Sequence, residues 1–562
     1  MILDQINDIA SICSGHGIKT AIISPGSRSA PLTLAFARHP AIDCKVISDE
    51  RSAAFIALGI AQQQKLPVVL ICTSGSAALN YAPAIAEAYY QEIPLLILTA
   101  DRPPEWIDQY DGQTISQNEI YGNHVKRSFT FPSAVSNEDV KWHCNRIINE
   151  SILCSSSIPF GPVHINIPLR APFYPKKEER TSYDEVRIIR QHNVESVISP
   201  IALDELFKEW DKHENKAIIV GQNPSNPILQ GTLEAFSSVS NTPVIADVIS
   251  NQHSNKNIRY QDLFLNPKLE QIHERLVPHL LITFGNSLIS KNLKTFIRNN
   301  PPKAHWHIGS SDRLNDSLQN VTRLIKIQPE AFFKSFNPQP SKSDFDLHWK
   351  NQNDNTATLV SKFIDTCDFG ELKAVAKCLQ KLPKNSQLHL ANSMAVRYVN
   401  ILGVIPTSQI NVFANRGTSG IDGSNSTAVG AALAQNKFVT LITGDMAFFY
   451  DRNAFWHNYN LKNLRIIILN NHAGGIFRLI EGPAEQPELE EFFETNQGLN
   501  AKNTAADFNF DYKFVVHENE LDRNLIHFYE QSDRAKILEI ESVSSLNASI
   551  FSKLKQTIND QL

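Results

Sequence analysis

The sequence predicts an α/β protein built from three doubly wound parallel-sheet domains. Two observations carry this expectation. First, short, continuously apolar runs recur along the chain, at 19–24, 67–73, 94–99 and 163–167, then at 217–220, 243–248, 280–284 and 304–308, then at 410–414, 438–443, 464–470 and 535–541. Strands read this way when helices cover both faces of a parallel sheet. Second, segments with helical periodicity lie between the runs, as at 52–64 and 77–90. Strand–helix alternation of this kind gives α/β layers.

Two stretches interrupt the alternation. Residues 172–200 include Lys176, Lys177, Glu178, Glu179 and Arg180, and residues 336–358 are rich in Ser, Asn, Asp, Lys and Pro. Both read as linkers or domain edges, dividing the chain into blocks at 1–180, 190–340 and 360–562. A length of 562 residues agrees with this division, at roughly 100–200 residues per domain. Hydrophobic content of 42% and charged content of 20% are ordinary for a globular protein. A formal net charge of −5 provides no global basic field for nucleic acid. The seven cysteines are scattered and no Cys-x-x-Cys occurs, so a disulfide framework and a zinc cage are not expected, and a reducing compartment is. The N-terminal stretch lacks a basic start followed by an apolar core, so no signal peptide is expected. No apolar run approaches the ~20 residues a membrane span needs. The expected location is the cytoplasm.

Open α/β sheets bind ligands at the carboxyl ends of their strands, so the information lies in the segments that follow the apolar runs. After the first run comes Ser24-Pro25-Gly26-Ser27-Arg28, a turn where backbone can approach a ligand and Arg28 can meet an anion. The plain alternative is a turn with a surface arginine. Glu50 falls in the first turn of the next helix, where the helix dipole alone would favour a carboxylate; beside an apolar helix face it is also poised to hydrogen-bond a cofactor ring nitrogen. Thr73-Ser74-Gly75 and Asn80 follow the second apolar run, Arg102 follows the third, and Gln113 lies in a polar stretch beyond it. The third block holds the most specific pattern. Thr443-Gly444-Asp445-Met446-Ala447 ends one run and Asn470-Asn471-His472-Ala473-Gly474-Gly475 ends the next, with a helix expected over 451–462. Neighbouring parallel strands would then deliver Asp445 and Asn471 to one sheet edge. A hard divalent cation takes oxygen ligands, which Asp445, Asn471 and the Ala473 carbonyl can supply. Gly444, Gly474 and Gly475 would let backbone amides close on a diphosphate.

The pairing of Gly-Asp with a later Asn-Asn resembles the signature of the thiamine-diphosphate-dependent enzymes. The resemblance covers nearly the whole chain and implies pyrimidine-binding, central and diphosphate-binding domains in that order. The stretches 24–29, 73–75, 100–105 and 415–423, the last reading Asn-Arg-Gly-Thr-Ser-Gly-Ile-Asp-Gly, narrow it further. They resemble the 2-succinyl-5-enolpyruvyl-6-hydroxy-3-cyclohexene-1-carboxylate synthase family of menaquinone biosynthesis. Membership implies that 2-oxoglutarate is decarboxylated on thiamine diphosphate and that the resulting carbanion adds to isochorismate in a 1,4 sense. It implies Glu50 as the activating glutamate and Mg2+ or Mn2+ on Asp445, Asn471 and Ala473. Cofactor contacts are implied from Pro25, Thr73, Asn80, Ile421, Gly444, Met446, Ala447, Gly474, Gly475, Ile476 and Phe477. Substrate contacts are implied from Ser27, Arg28, Arg102, Gln113, Lys291, Ser393, Arg397 and Arg416. A homodimer or homotetramer is implied, with each cofactor gripped by two subunits.

The substrate class agrees with elementary chemistry. The two substrates bring four carboxylates, and arginine meets a carboxylate through two parallel hydrogen bonds. One departure stands out: where the family offers Ser-Lys-Arg, this chain reads Ser290-Lys291-Asn292, with Lys294 nearby as a substitute cation. Two alternatives remain at this point. Another thiamine-diphosphate carboligase or decarboxylase, such as an acetolactate synthase, would share the cofactor motifs. A non-catalytic nucleotide-binding protein would need a Gly-x-Gly-x-x-Gly or phosphate-loop turn between strand and helix, and none occurs there.

Overall fold

The computed structural model describes residues 2–562 apart from 176–182, 184, 193, 195 and 312. The charged run Lys176 to Arg180 lies outside the described residues. Among those described, the strands form three sheets, all of whose pairings are parallel.

The first sheet contains β1 (Thr20–Ile23), β2 (Asp43–Val46), β3 (Val68–Cys72), β4 (Leu95–Asp101), β5 (Arg127–Thr130) and β6 (Pro162–Pro168), in the order β2-β1-β3-β4-β6-β5. The second contains β7 (Lys216–Val220), β8 (Val244–Ala246), β9 (Leu280–Phe284), β10 (Ala304–Ile308) and β11 (Arg323–Ile325), ordered β11-β10-β9-β7-β8. The third contains β12 (Gln387–Leu390), β13 (Asn411–Ala414), β14 (Val439–Gly444), β15 (Leu464–Asn470), β16 (Asp511–Val515) and β17 (Lys536–Glu541), ordered β13-β12-β14-β15-β17-β16. The first and third sheets thus share one winding. Each reverses direction beside its first strand, and that reversal opens a crevice at the carboxyl edge. The central strands β3, β4, β6 and β15 are buried along their whole length, as their unbroken apolar runs require.

Three local expectations need correction. The 77–90 helix is two helices, Ser76–Asn80 and Ala82–Gln91, because Tyr81 turns inward and Pro83 begins a new first turn. The helix expected over 451–462 starts earlier: Asp445–Tyr450 is helical straight off β14, a short 3-10 turn covers Arg452–Phe455, and the remainder is irregular. Most of the second interruption is no linker, since Phe345–Thr366 is a helix that buries Phe345, Trp349 and Val360. Most of its polar residues face solvent, while Asn353 and Thr356 are buried with the apolar ones.

The three units are packed as one body. One apolar cluster joins Ala53–Ile60 of the first unit to Ala428, Val429 and Ala431 of the third. Another joins Leu263–Leu265 and Leu293 of the second unit to Val396, Val399 and Leu554 of the third. No helix among the described residues is long and apolar enough to cross a membrane.

Candidate active site

The third sheet sets the geometry. β14 and β15 pair in register with Gly444 opposite Leu469, so the residues just beyond, Asp445 and Asn471, leave neighbouring strand tips at the same edge. Asp445 begins a helix, and its side chain is buried, with Gln497 donating to its Oδ2 at 2.7 Å. Burial, only partly offset by Gln497 and the Met446 amide, pushes its carboxyl up to about 6. Asn471 Nδ2 donates to Glu371 Oε1 at 2.6 Å, and Asn471 Oδ1 accepts from the Ala473 amide at 3.0 Å. Burial pushes the Glu371 carboxyl up to about 7 against the hydrogen bonds of Asn471 and Tyr398.

The loop after Asn471 is already bonded internally. The Gly474 amide donates to Glu494 O at 2.7 Å and the Gly475 amide to Ala473 O at 2.9 Å. In this conformation neither amide is free for a phosphate, contrary to the expectation from the glycines. Glu494 also anchors Arg478, which donates to it, and thereby ties the Gly475–Leu479 turn, with Ile476 and Phe477, to the chain beyond. Gly444 is open: a methyl group built on it would meet only Leu469 O, at 4.0 Å.

Beside these tips, β12 and β13 carry the cations. Ser393 follows β12 with φ 69°, in the left-handed region that a non-glycine residue occupies at a cost. That turn starts the helix bearing Arg397, whose guanidinium donates to Ser393 O. Arg416 follows β13 and donates to Asn392 Oδ1 at 2.9 Å. Asn392 in turn donates to Asn415 O and Gly420 O, at 2.7 and 2.6 Å, and so shapes the loop that exposes Ile421. Burial lowers both arginines, and Arg397 lowers Arg416 further, so two guanidiniums share one poorly solvated neighbourhood. Lys294 is lowered by burial and then by Arg416, and makes a third cation there. Asn292 is bonded to Asp262, its backbone N–H donating to Oδ1 at 2.8 Å and its Nδ2 to the main-chain O at 2.7 Å. Lys291 is exposed at the start of its helix.

The first sheet offers a second set of tips. Glu50 opens the Glu50–Gln64 helix, whose cap is Asp49, with Oδ1 accepting from the Ser52 amide at 3.2 Å. Burial raises the Glu50 carboxyl, and its charge is felt by Cys72 and Tyr81. Pro25 and Ser27 are exposed, and Gly26 packs so closely on Thr73 that an added methyl would come within 2.3 Å of it. Arg28 is buried, donating to Leu169 O at 2.9 Å and lying over the Phe173 ring at 4.5 Å. Arg102 pairs with Asp111 at 3.3 Å and donates to Gly112 O at 2.7 Å, organising the loop that carries Gln113. Asn80 is exposed at its helix end, donating to Ser76 O. Gln117, in the same polar stretch as Gln113, is buried and accepts from the Gly75 amide at 2.8 Å. Among the described residues no hydrogen bond or ion pair of this chain joins Glu50, Arg28 or Arg102 to Asp445, Asn471, Arg397 or Arg416.

Two family models match stretches of the chain. Residues 6–122 match the family model described as "Thiamine pyrophosphate enzyme, N-terminal TPP binding domain", and residues 189–390 match "Middle domain of thiamine pyrophosphate". The 2-succinyl-5-enolpyruvyl-6-hydroxy-3-cyclohexene-1-carboxylate synthase of Cytophaga hutchinsonii is 45% identical over 99% of both chains. The protein of the same name from Flavobacterium johnsoniae is 39% identical over 95% of both. The chain belongs to this synthase family. Benzoylformate decarboxylase from Polynucleobacter necessarius superposes with a TM-score of 0.72 at 15% identity, over 96% of this chain and 98% of that one, and so shares the fold.

As a thiamine-pyrophosphate enzyme of that synthase family, the chain should hold the cofactor at these edges, and its residues fit one. Asp445 is a buried carboxylate with no cation among its partners, which a bound cation would compensate. Thr73 Oγ1 and Ser74 Oγ, just after β3, and Ser424 Oγ, at the start of its helix, are buried without a hydrogen-bond partner. Buried polar atoms of this kind call for a ligand or water.

Proposed function

We propose that the protein decarboxylates 2-oxoglutarate and joins the remaining four-carbon unit to isochorismate by 1,4-addition, giving 2-succinyl-5-enolpyruvyl-6-hydroxy-3-cyclohexene-1-carboxylate. The observation that supports this most is the placement of Asp445 and Asn471 on adjacent strand tips beside the paired guanidiniums of Arg397 and Arg416. Thiamine diphosphate, when bound, supplies a nucleophilic carbon and an electron sink. Asp445, Asn471 and the Ala473 carbonyl hold Mg2+ or Mn2+ against its diphosphate, with Gly444, Met446, Ala447 and the 474–477 turn around it. Glu50 holds a proton shared with the pyrimidine N1′ atom, in a setting where burial raises its carboxyl; Pro25, Thr73 and Asn80 line that end. Ile421, exposed on its loop, would offer the cofactor an apolar contact.

Arg397 and Arg416 bind substrate carboxylates, with Ser393 adding a hydroxyl and Lys294 a third charge in place of the family arginine at 292. Arg28, Ser27, Arg102, Gln113 and Lys291 complete the substrate wall. The working site is formed by the first unit of one subunit and the third unit of another, in a homodimer or homotetramer in the cytoplasm, as the resemblance to thiamine-diphosphate enzymes implies. The units are 1–180, 190–340 and 360–562. The test supplies the purified protein with thiamine diphosphate, Mg2+, 2-oxoglutarate and isochorismate. Loss of isochorismate with release of carbon dioxide is expected, and pyruvate should not replace 2-oxoglutarate. Isochorismate left unconsumed, or equal turnover with pyruvate, would overturn the reading.

A further inference from the structure

Behind Asn471, on the side away from its own loop, stands a carboxylate that none of the motifs singles out. Glu371 is the first residue of the Glu371–Gln380 helix and is 1% exposed. Its backbone N–H donates to Asn547 Oδ1 at 3.0 Å. Asn547 Nδ2 donates to Ser542 Oγ at 2.9 Å, and Ser542 Oγ faces Glu371 Oε1 at 3.4 Å. Tyr398 lies beside the same carboxyl. Glu371 is therefore fixed in place by side chains from three separate parts of the third unit. Its nearest partner is the Asn471 side chain, whose Nδ2 lies 2.6 Å from Oε1.

An asparagine amide carries two donors on nitrogen and an acceptor on oxygen, and its surroundings decide which end points where. A carboxylate accepts hydrogen bonds and repels a carbonyl oxygen. Asn471 accordingly turns its nitrogen inward, 2.6 Å from Glu371 Oε1, and its Oδ1 is the opposite end of the amide, accepting from the Ala473 amide at 3.0 Å. A cation requires the oxygen, since the amide nitrogen has no lone pair to give. We propose that Glu371 is a positioning residue for the metal site, fixing the Asn471 amide so that its oxygen is the atom offered to the cation. This inference rests on the reading of Asp445 and Asn471 as metal ligands. Glu371 touches neither metal nor substrate; it acts through Asn471, as outer-shell partners of metal ligands commonly do.

The test measures Mn2+ binding to the full-length protein in the presence of thiamine diphosphate, by the signal of free Mn2+ in electron paramagnetic resonance. Glu371→Gln puts an amide where the carboxylate was. It can donate to the Asn471 oxygen and release the constraint, so Mn2+ affinity should fall by roughly 10–100-fold. Asn471→Asp alone sets two carboxylates against each other and should also bind weakly. The double variant exchanges the two groups: the amide at 371 donates to the new carboxylate at 471, whose other oxygen faces the cation. Its affinity should return to within a few-fold of the parent, and this recovery reads the pairing even if a single variant folds poorly. Unchanged affinity in Glu371→Gln, or a double variant no tighter than the singles, would overturn the inference. Asp445→Ala reports separately on the metal site itself. If Asp445→Ala binds Mn2+ as the parent does, the metal-site reading fails and takes the inference with it. If Asp445→Ala loses Mn2+ while Glu371→Gln keeps it, the inference alone fails.

Discussion

Glu50 and Asp445 are both acidic residues at the start of a helix, yet their surroundings give them different work. Glu50 is half-buried beside Cys72 and Tyr81, and burial raises its carboxyl, which suits a group that shares a proton. Glu50→Gln keeps the shape and removes the titratable proton. Turnover should fall by about 10²-fold or more, while calorimetric affinity for thiamine diphosphate stays within a few-fold; equal turnover would remove Glu50 from the mechanism. Asp451 has no such role. Its carboxyl is pushed up to about 7 by burial, with Ser426 donating to it from both its amide and its hydroxyl. A folded value above the unfolded one means the folded chain binds more protons. Its stabilising contribution is complete below about pH 4, the unfolded carboxylate value, and is lost as pH rises through about 7. In metal-free protein Asp445 and Glu371 add to that loss in the same direction. Melting temperatures at about pH 5.5 and about pH 8 should therefore differ less in Asp451→Asn than in the parent, and an equal difference would contradict the assignment.

The residue scale also shows where sequence reading stops. Asp445 and Asn471 were legible because each directly follows an apolar strand, and parallel pairing of consecutive strands brings such tips together. Glu371 was not assigned a place in the site, and Gln117 and Asn392, though they lie in stretches read as binding, were given no role of their own. Their roles depend on partners distant in sequence, as with Glu371 and Asn471, and a single glutamate in a helix's first turn has an ordinary explanation in the helix dipole. The position of Lys294 beside Arg416 likewise needed the fold, although the departure at Asn292 pointed towards it.

At the scale of elements, the helix Glu50–Gln64 lies against the helix Ser424–Ala434 at two glycines. A methyl group on Gly59 would come within 2.1 Å of Thr427 O, and one on Gly430 within 2.1 Å of Ile56 O. The two backbones approach so closely that no side chain fits between them, which holds the Glu50 helix to the unit carrying the diphosphate motifs. Gly59→Ala must push them apart. Overpacking of this kind costs roughly 1–3 kcal/mol, so the urea midpoint should drop clearly; an unchanged midpoint would mean that the contact yields. The strands reveal a similar dependence on neighbours. Those with unbroken apolar runs were legible from sequence. β2, β5, β11 and β16 were not, because each is the edge of its sheet and carries exposed or half-exposed positions. β12 is interior, but Gln387 and His389 interrupt its apolar character while being buried.

Over the whole molecule, the three units meet around the loop that bears Arg416. Glu87, buried in the first unit, accepts from the Gly417 amide, the Thr418 amide and the Thr418 hydroxyl at 2.7, 2.7 and 2.6 Å. Gln222 of the second unit donates to Gln91 Oε1 at 3.0 Å and to Ala414 O at 2.9 Å, linking all three. Glu87→Ala frees these three loop donors, and the Gln91 side-chain amide with them, and loosens the Arg416 loop. The KM for the carboxylate substrates should rise by about tenfold or more, since a lost charged hydrogen bond is worth roughly 1.5–3 kcal/mol, with cofactor affinity little changed; a change confined to cofactor affinity would contradict this placement.

The proposal that two subunits build each site puts Glu50 and Asp445 of one working site on different chains. Mixing subunits tests this most directly. Glu50→Gln and Asp445→Ala proteins, each inactive alone, are unfolded together in equal amounts and refolded. If each site takes Glu50 from one subunit and Asp445 from the other, half the dimers are hybrids and each hybrid has one intact site, so about a quarter of the parent activity should return. If one chain supplies both residues, no hybrid has an intact site and activity should stay at the level of the separate variants, which would contradict the account.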